Sequence, residues 1–419
     1  MKVINILEKI KNKLLNLKKL EKILNSSNIK NEISYYRKRF SDFCQSNNSL
    51  NLTELFFAKN NKGNDIKISV VTPVFNGEKF IKDILLALQK QTIAKYIEWL
   101  VVDDCSSDST VDYLVKLSEN LDVARLIILK NTKNLGASYS LRIAVDNATS
   151  DIIAWCSVDD FYVSPNKLEI DYEVIVSKKA DLVFSKYIFL GSDLKKSQQI
   201  NLDSLIREYN YYWNNINDVN QVSNDNLKLV SFLFFYNFLN GSSVVFNKGI
   251  YYKVGGFDEF LLNVDADWDL FVKMLLLNSK IFFSNTKIFN RIHSNQTSYN
   301  LHKMVFGTSL TRIRILKALQ QTNYLDSIIN YFALFIDNIK KRFIFPFGNK
   351  FPFGFNWLLN FSNILFFYFY LFYNFSSYLK VNVNINKFID FETWQEFLNL
   401  VDFYLETRAF RTFLEAFNR

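Results

Sequence analysis

From Lys67 to Phe184 short apolar runs alternate with stretches of helical spacing, and few folds accommodate that order. The apolar runs are Lys67–Val74, Tyr96–Val102, Ala124–Leu129, Asp151–Cys156 and Asp181–Phe184. Between them, Glu78–Lys90, Ser109–Ser118, Ser138–Ala148 and Pro165–Ser177 space their apolar residues as helices do. Ser106–Asp108 offers capping groups to the second helix, and Pro165 sits in the first turn of the fourth. Strands joined through single helices pair in parallel, and a parallel sheet is covered on both faces. The expected fold class is therefore α/β: a Rossmann-like, mostly parallel sheet flanked by helices.

The alternation stops after Phe184. Gly191–Leu227 is polar and rich in Asn. Ser243–Phe246 reads as a short strand, Gly255-Gly256 as a turn, Asp267–Leu277 as a helix and Lys280–Ile292 as one or two strands. From His302 onward the spacing is helical. The organisation expected is a basic helical segment over 1–45, a linker over 46–65 rich in Asn and Lys, an α/β domain over 66–300, and a helical, aromatic-rich region over 301–419.

Two of the strands run into paired carboxylates, Asp103-Asp104 and Asp159-Asp160. Ligands of open α/β sheets bind outside the carboxyl ends of the strands. Clustered acids there repel one another, and a divalent cation carrying a diphosphate relieves the repulsion. Capping of the following helices is the other use of such acids, and for Asp108 it is the preferred one. The chain has no Gly-x-Gly-x-x-Gly and no Gly-Lys-Ser/Thr loop, which argues against a dinucleotide dehydrogenase or a P-loop NTPase. His293 and His302 are the only histidines, so a multi-histidine metal site is excluded. The cysteines, Cys44, Cys105 and Cys156, are odd in number and far apart, which fits a reducing compartment and no disulfide framework.

The charge is lopsided. The formal net charge is +9, and residues 1–40 alone hold eleven basic and three acidic side chains. The rest is nearly neutral, so no nucleic-acid footprint is expected. Val3, Leu7, Ile10, Leu14, Leu17 and Leu24 form an apolar stripe in that segment. It reads either as a basic amphipathic helix on an anionic membrane surface or as a helix packed on its own chain or on a second copy. Charges interrupt it throughout, unlike a signal peptide. Phe351–Leu379 is uncharged and aromatic. Its length suits a membrane span, but its Asn, Tyr and Trp residues suit an interfacial or a buried helix better.

Five of these features, in order, resemble family 2 glycosyltransferases. Val71–Asn76 (VTPVFN) with Gly77-Glu78 is similar to that family's first strand and turn, and Val101–Thr110 (VVDDCSSDST) to its second-strand motif. Asn134-Leu135-Gly136 resembles its Asn-x-Gly turn and Val158-Asp159-Asp160 its metal motif. Gly255–Glu259 (GGFDE), followed by Asp267-Trp268-Asp269-Leu270, resembles its acceptor-side segment. The resemblance covers Lys67–Ser298, and its specificity lies in order and spacing rather than in any single motif.

The resemblance implies a GT-A fold and an inverting, metal-dependent transfer from a nucleotide-diphosphate sugar, a UDP-sugar by preference, to a glycan or lipid-linked acceptor. It implies that Thr72, Phe75 and Glu78 border the nucleotide, with Phe75 where the family often has Tyr. Asp103 would hold the base, Asp159 would approach the ribose, and Asp160 would ligate Mn²⁺ or Mg²⁺. Asp267 would be the general base, with Asp265 a rival two residues away. His293, in RIHSNQTS, resembles a histidine that closes over the diphosphate, although a strand-end histidine with a local hydrogen bond looks the same in sequence. Ser157 stands where many members carry the first acid of the metal motif, Ala266 where a Glu often precedes the base, and Leu141 where Arg is common, with Arg142 next to it. These departures keep open a second reading, a nucleotide-sugar-binding protein without turnover or a membrane-associated scaffold. The expected location is the cytoplasm, with the basic segment at the inner face of a membrane.

Overall fold

A computed structural model describes residues 26–46, 52–61, 65–191, 196–198, 226–261 without 236 and 238, 264–296 without 295, 301–328 without 321, 323 and 326, and 391–418. The basic stripe of residues 1–25 and the aromatic stretch 351–379 lie outside these residues.

The chain enters through α1 (Ser26–Ser46) and β1 (Thr53–Asn60). The expected alternation follows as β2 (Ile68–Val74), α2 (Ile81–Gln89), β3 (Ile97–Asp103), α3 (Thr110–Ser118), β4 (Arg125–Asn131), α4 (Ala137–Asn147) and β5 (Ile152–Trp155). Then come β6 (Phe161–Tyr162), α5 (Lys167–Lys178), β7 (Leu182–Gly191), β8 (Lys196–Gln198), α6 (Asn226–Phe235), β9 (Val244–Asn247) and α7 (Lys248–Lys253). The last elements are α8 (Ala266–Leu276), β10 (Ile281–Ile292), α9 (Leu301–Leu319), α10 (Phe391–Leu405) and α11 (Arg408–Phe417).

The strands form one sheet in the order β1-β4-β3-β2-β5-β9-β7-β10-β6, with β8 on β7. β4, β3, β2 and β5 form the parallel block that the alternation predicts. β9 then runs antiparallel between β5 and β7, while β7 and β10 are parallel again.

Side chains alternate across the pleat. Val70, Trp99 and Val101 face one layer with Ile81, Ile84 and Leu114 from α2 and α3. Val71, Leu100 and Val102 face the other, where α4, α8 and the C-terminal helices pack around Trp268 and Trp394.

One expectation needs correction. The stretch read as a linker over 46–65 contains β1, which pairs antiparallel with β4 from Thr53↔Asn131 to Asn60↔Arg125. Its outward residues, Leu55 and Phe56, are 63% and 46% exposed, so no clean in–out alternation marks it in the sequence. Of the basic helical segment expected over 1–45, the structure describes residues 26–45. Its described part, α1, buries Ile29, Ile33 and Tyr36 in the main core, and the Tyr36 ring lies 5.1 Å from Phe306 of α9. For these residues the packed reading holds.

The C-terminal helices bind the α/β body through a buried ionic knot. Arg314 of α9 bridges Asp258 and Asp269, each at 2.5 Å, and Asp269 also meets Lys273 at 2.8 Å. Thr407, which caps α11, donates to Asp258 at 2.7 Å. Burial pushes the Asp269 carboxyl up, but Arg314 and Lys273 outweigh it and hold the group below its ordinary value. Gly255 completes the junction at φ 82, where a side-chain carbon would stand 1.9 Å from the Ala409 carbonyl oxygen.

Candidate functional site

The parallel register brings three loops to one rim of the sheet. Val74 of β2 pairs with Asp103 of β3, and Val71 pairs with Trp155 of β5. β3 and β5 flank β2, so their carboxyl ends lie about 10 Å apart at ordinary strand spacing. Over this rim opens a cleft of about 980 Å³. Its walls come from the loop after β2, the acidic loop after β5, the end of β10 and the start of α8.

Reciprocal hydrogen bonds lock the first wall. Asn76, at φ 52, accepts from the Ser107 N–H at 2.9 Å, and its own N–H donates to Ser106 Oγ at 2.8 Å. Gly77 N–H donates to Thr110 Oγ1 at 2.8 Å. A side-chain carbon at Gly77 would meet Val74 Cγ2 at 2.6 Å and Val158 Cγ2 at 2.9 Å, so only glycine lets the two loops touch. Phe75 stands on this frame, 50% exposed and lining the cleft, as a flat apolar platform.

Three expected nucleotide contacts sit elsewhere. Thr72 is fully buried, and its Oγ1 accepts from the Trp99 indole at 3.0 Å. It faces the α2–α3 layer because the pleat points alternate residues away from the rim. Glu78 accepts from the Ser109 N–H at 3.3 Å, a loop-to-loop cap outside the cleft lining. Asp103 is buried below the rim and accepts from the Ser106 N–H at 3.2 Å. Burial pushes its carboxyl above the ordinary value. Its neighbour Asp104 borders the cleft but is committed to structure: it accepts from the Leu135 and Gly136 N–H groups, both at 2.7 Å, and so fixes the Asn134-Leu135-Gly136 turn. Asp108 caps α3 as expected, accepting from the Thr110 N–H at 3.1 Å.

The acidic loop presents its two carboxylates differently. Asp160 is 3% exposed and accepts from the Arg291 N–H at 3.0 Å and the Asn290 amide at 3.1 Å. Burial first, and the Asp159 charge second, push its carboxyl well above the ordinary value. Asp159 keeps Oδ2 at 3.1 Å from His293 Nε2 and 3.4 Å from the Gln296 amide, all lining the cleft. Among the described residues no three His, Cys, Asp or Glu side chains cluster as a metal site. The Asp159–His293 pair nonetheless suits a hard cation that draws its other ligands from water and phosphate, the habit of Mg²⁺ and Mn²⁺.

On the opposite wall α8 begins. Asp265, held at φ 55, is paired with Arg312, whose guanidinium lies 4.5 Å above the Trp268 ring. Among the described residues Asp267 is bonded only by backbone N–H groups, that of Trp268 at 2.8 Å. Burial, with the Asp265 charge adding to it, pushes the Asp267 carboxyl up to about 7. A carboxylate poised near neutrality is suited to taking a proton. Arg142 does not replace an arginine in the cleft: it donates to the Gly255 and Phe257 carbonyls at 3.1 and 2.8 Å and pairs with Glu259.

Arg291 is the residue that sequence reasoning missed. It pairs with Asp83 at 2.6 Å, donates to the Asp159 carbonyl at 3.1 Å and lies 5.1 Å over the Phe80 ring. The Phe80 ring in turn lies 4.9 Å from His293. The RIH triplet was visible, but Asp83 lies 208 positions away.

The model of glycosyl transferase family 2 matches residues 69–236. An uncharacterized glycosyltransferase of Rickettsia typhi is 25% identical over 231 residues, 55% of this chain and 65% of that protein. A UDP-Glc:α-D-GlcNAc-diphosphoundecaprenol β-1,3-glucosyltransferase of Escherichia coli is 28% identical over 129 residues, 31% of this chain and 49% of that one. The chain thus spans less than two thirds of the length of either relative. Among solved structures, S. aureus TarS 1–349 in complex with UDP-GlcNAc matches in fold with a TM-score of 0.50 at 16% identity, over 84% of this chain and 92% of that one.

Proposed function

We propose, from the match of residues 69–236 to the model of glycosyl transferase family 2, that the chain moves a sugar from a nucleotide-diphosphate donor to a hydroxyl acceptor. The observation that supports this most is one cleft with Asp267 on one wall and the Asp159–His293 pair on the other.

Phe75 provides a face for the base. The diphosphate lies at the acidic loop. Asp159 and His293 are the residues that would hold Mn²⁺ or Mg²⁺, rather than Asp160, whose oxygens already accept from Arg291 and Asn290. A cation bound there supplies positive charge against the leaving diphosphate. Arg291 fixes the backbone of Asp159 and so the aim of its carboxylate.

Asp267 takes the proton of the acceptor hydroxyl. The hydroxyl oxygen forms the new bond to the anomeric carbon as the bond to the diphosphate breaks, and that electron pair leaves with the diphosphate. Attack from the face opposite the leaving group inverts the configuration. Asp265 cannot share the role while Arg312 neutralises it.

The donor is a UDP-sugar and the acceptor a glycan or lipid-linked sugar. The E. coli relative's use of UDP-Glc on a diphosphoundecaprenol-linked sugar supports both assignments. Such an acceptor puts the enzyme at the cytoplasmic face of a membrane. Among the described residues no helix is long and apolar enough to cross one.

Incubation with Mn²⁺ and a panel of UDP- and GDP-sugars tests the proposal. Donor consumption, with loss of about 10²–10⁴-fold in Asp267→Asn and retained donor binding, is the expected result. Wild-type turnover by Asp267→Asn would refute the base assignment.

A further inference from the structure

Asp265 stands at the head of α8 with φ 55, a conformation that residues other than glycine seldom adopt. Arg312 of α9 holds it there. The guanidinium pairs with the Asp265 carboxylate, donates to the Thr308 carbonyl at 3.1 Å and to the Phe234 carbonyl at 3.4 Å, and lies 4.5 Å above the Trp268 ring. Trp268 is itself fixed. Its indole N–H donates to the Leu233 carbonyl at 2.9 Å, and its backbone N–H donates to Asp267 at 2.8 Å. A side-chain carbon at Gly307 would stand 2.6 Å from Val264 Cγ1 and 3.2 Å from Tyr36 Oη, so α9 lies directly on the turn that carries Asp265. One buried cation thus touches a residue on either side of Asp267 in the sequence, and the Asp265 and Asp267 carboxylates line the cleft.

Among the described residues, two ionised side chains bear on the Asp267 carboxyl: Asp265 disfavours its charge and Arg312 favours it. Asp269 of α8 and Tyr36 of α1 interact with Asp265 instead. Asp159 and His293 stand on the opposite wall. Burial makes this end of α8 sensitive to each unit of charge, because little water screens it.

We infer that Arg312 is a positioning residue for the proton transfer: through Asp265 and Trp268 it holds the turn that aims Asp267 into the cleft, and its charge offsets the repulsion between the two carboxylates. The inference rests on the assignment of Asp267 as the base and adds the group that keeps this base usable near neutral pH.

Two substitutions in the full chain should move the titration of Asp267 in opposite directions. Asp265→Asn removes the like charge and leaves the cation, so the midpoint should fall by about one to two pH units. Arg312→Gln removes the cation and leaves the like charge, so the midpoint should rise by a similar amount. The double variant should return close to the wild-type midpoint, and Arg312→Lys, which keeps the charge, should stay there. The titration is read as the melting-temperature gap between each protein and the same protein carrying Asp267→Asn. That gap opens as pH rises above about 4 and levels off beyond the Asp267 midpoint, and it needs no donor or acceptor. The pH profile of kcat/KM for consumption of a UDP- or GDP-sugar with Mn²⁺ should shift by the same amounts. Asp265→Asn is isosteric and carries the test if Arg312→Gln fails to fold.

Unchanged midpoints, or shifts of the same sign, would overturn the inference and leave the transferase reading intact. A gap that shifts while the kcat/KM profile stays fixed would overturn it together with the base assignment. Absence of consumption of every nucleotide-sugar would instead sink the transferase reading, and this inference with it.

Discussion

Asp267 is the residue on which the chemistry turns, and its environment gives a pH signature. Its carboxyl moves from 3.8 to about 7. A base must be ionised, so kcat/KM should rise with pH through about 7, and a midpoint near the ordinary carboxyl range would contradict the assignment. Stability runs the other way. The folded carboxyl holds its proton more tightly than the unfolded one, so stability falls as pH rises from about 4 to about 7. Asp267→Asn removes the buried charge and should raise the melting temperature at pH 8. The upper limit is about 4 kcal/mol, since each pKa unit corresponds to about 1.4 kcal/mol, and the gap should close as pH falls toward 4. At the other wall, Asp159→Asn or His293→Ala should weaken Mn²⁺-dependent donor binding by about 10- to 100-fold, a range typical of damage to a metal site. Calorimetry with and without Mn²⁺ separates this from a general loss of folding. Residue types and spacing announced these groups, but aim did not show. Thr72 and Asp103 lie in the expected motif yet point into the sheet and the loop beneath the rim, because the pleat, not the motif, decides which of two neighbours faces the cleft.

At the scale of elements, the β2-to-β5 block was legible because each strand and helix declares itself through local periodicity. In the other half the strands β7, β9 and β10 were legible too, but their pairing was not. β7 and β10 pair residues about a hundred positions apart, as Leu182 with Ile281, and nothing local encodes that match. β1 was hidden for another reason: an exposed edge strand between Asn- and Lys-rich flanks has no buried face to impose alternation. The knot behind α8 was equally invisible, since Arg314 reaches Asp258 and Asp269 across 56 and 45 positions. It holds the helix that begins beside Asp267. Arg314→Met leaves buried Asp258 without a cation and Asp269 with Lys273 alone, and should cost about 3–5 kcal/mol of stability. Chemical denaturation measures the loss. A neutral outcome would mean that the C-terminal helices dock by apolar contact alone.

Among the described residues the whole molecule combines an α/β body with helices packed on it. α1 and the last three described helices belong to the core, whereas residues 1–25 are set apart in the sequence by seven lysines against two glutamates. Deleting 1–25 should abolish co-sedimentation with anionic vesicles and leave sugar transfer intact, because basic segments near a membrane bind chiefly through charge. Deletion to residue 40 should instead unfold the protein by stripping Ile29, Ile33 and Tyr36 from the core. The central claim is that the cleft at the sheet rim receives a cation-bound nucleotide diphosphate. A crystal grown with UDP and Mn²⁺ and measured at the manganese edge tests it most directly. The predicted result is one anomalous peak within bonding distance of Asp159 and His293, with the diphosphate against it and the base over Phe75. Manganese and nucleotide bound away from the acidic loop, or not bound at all, would contradict the account.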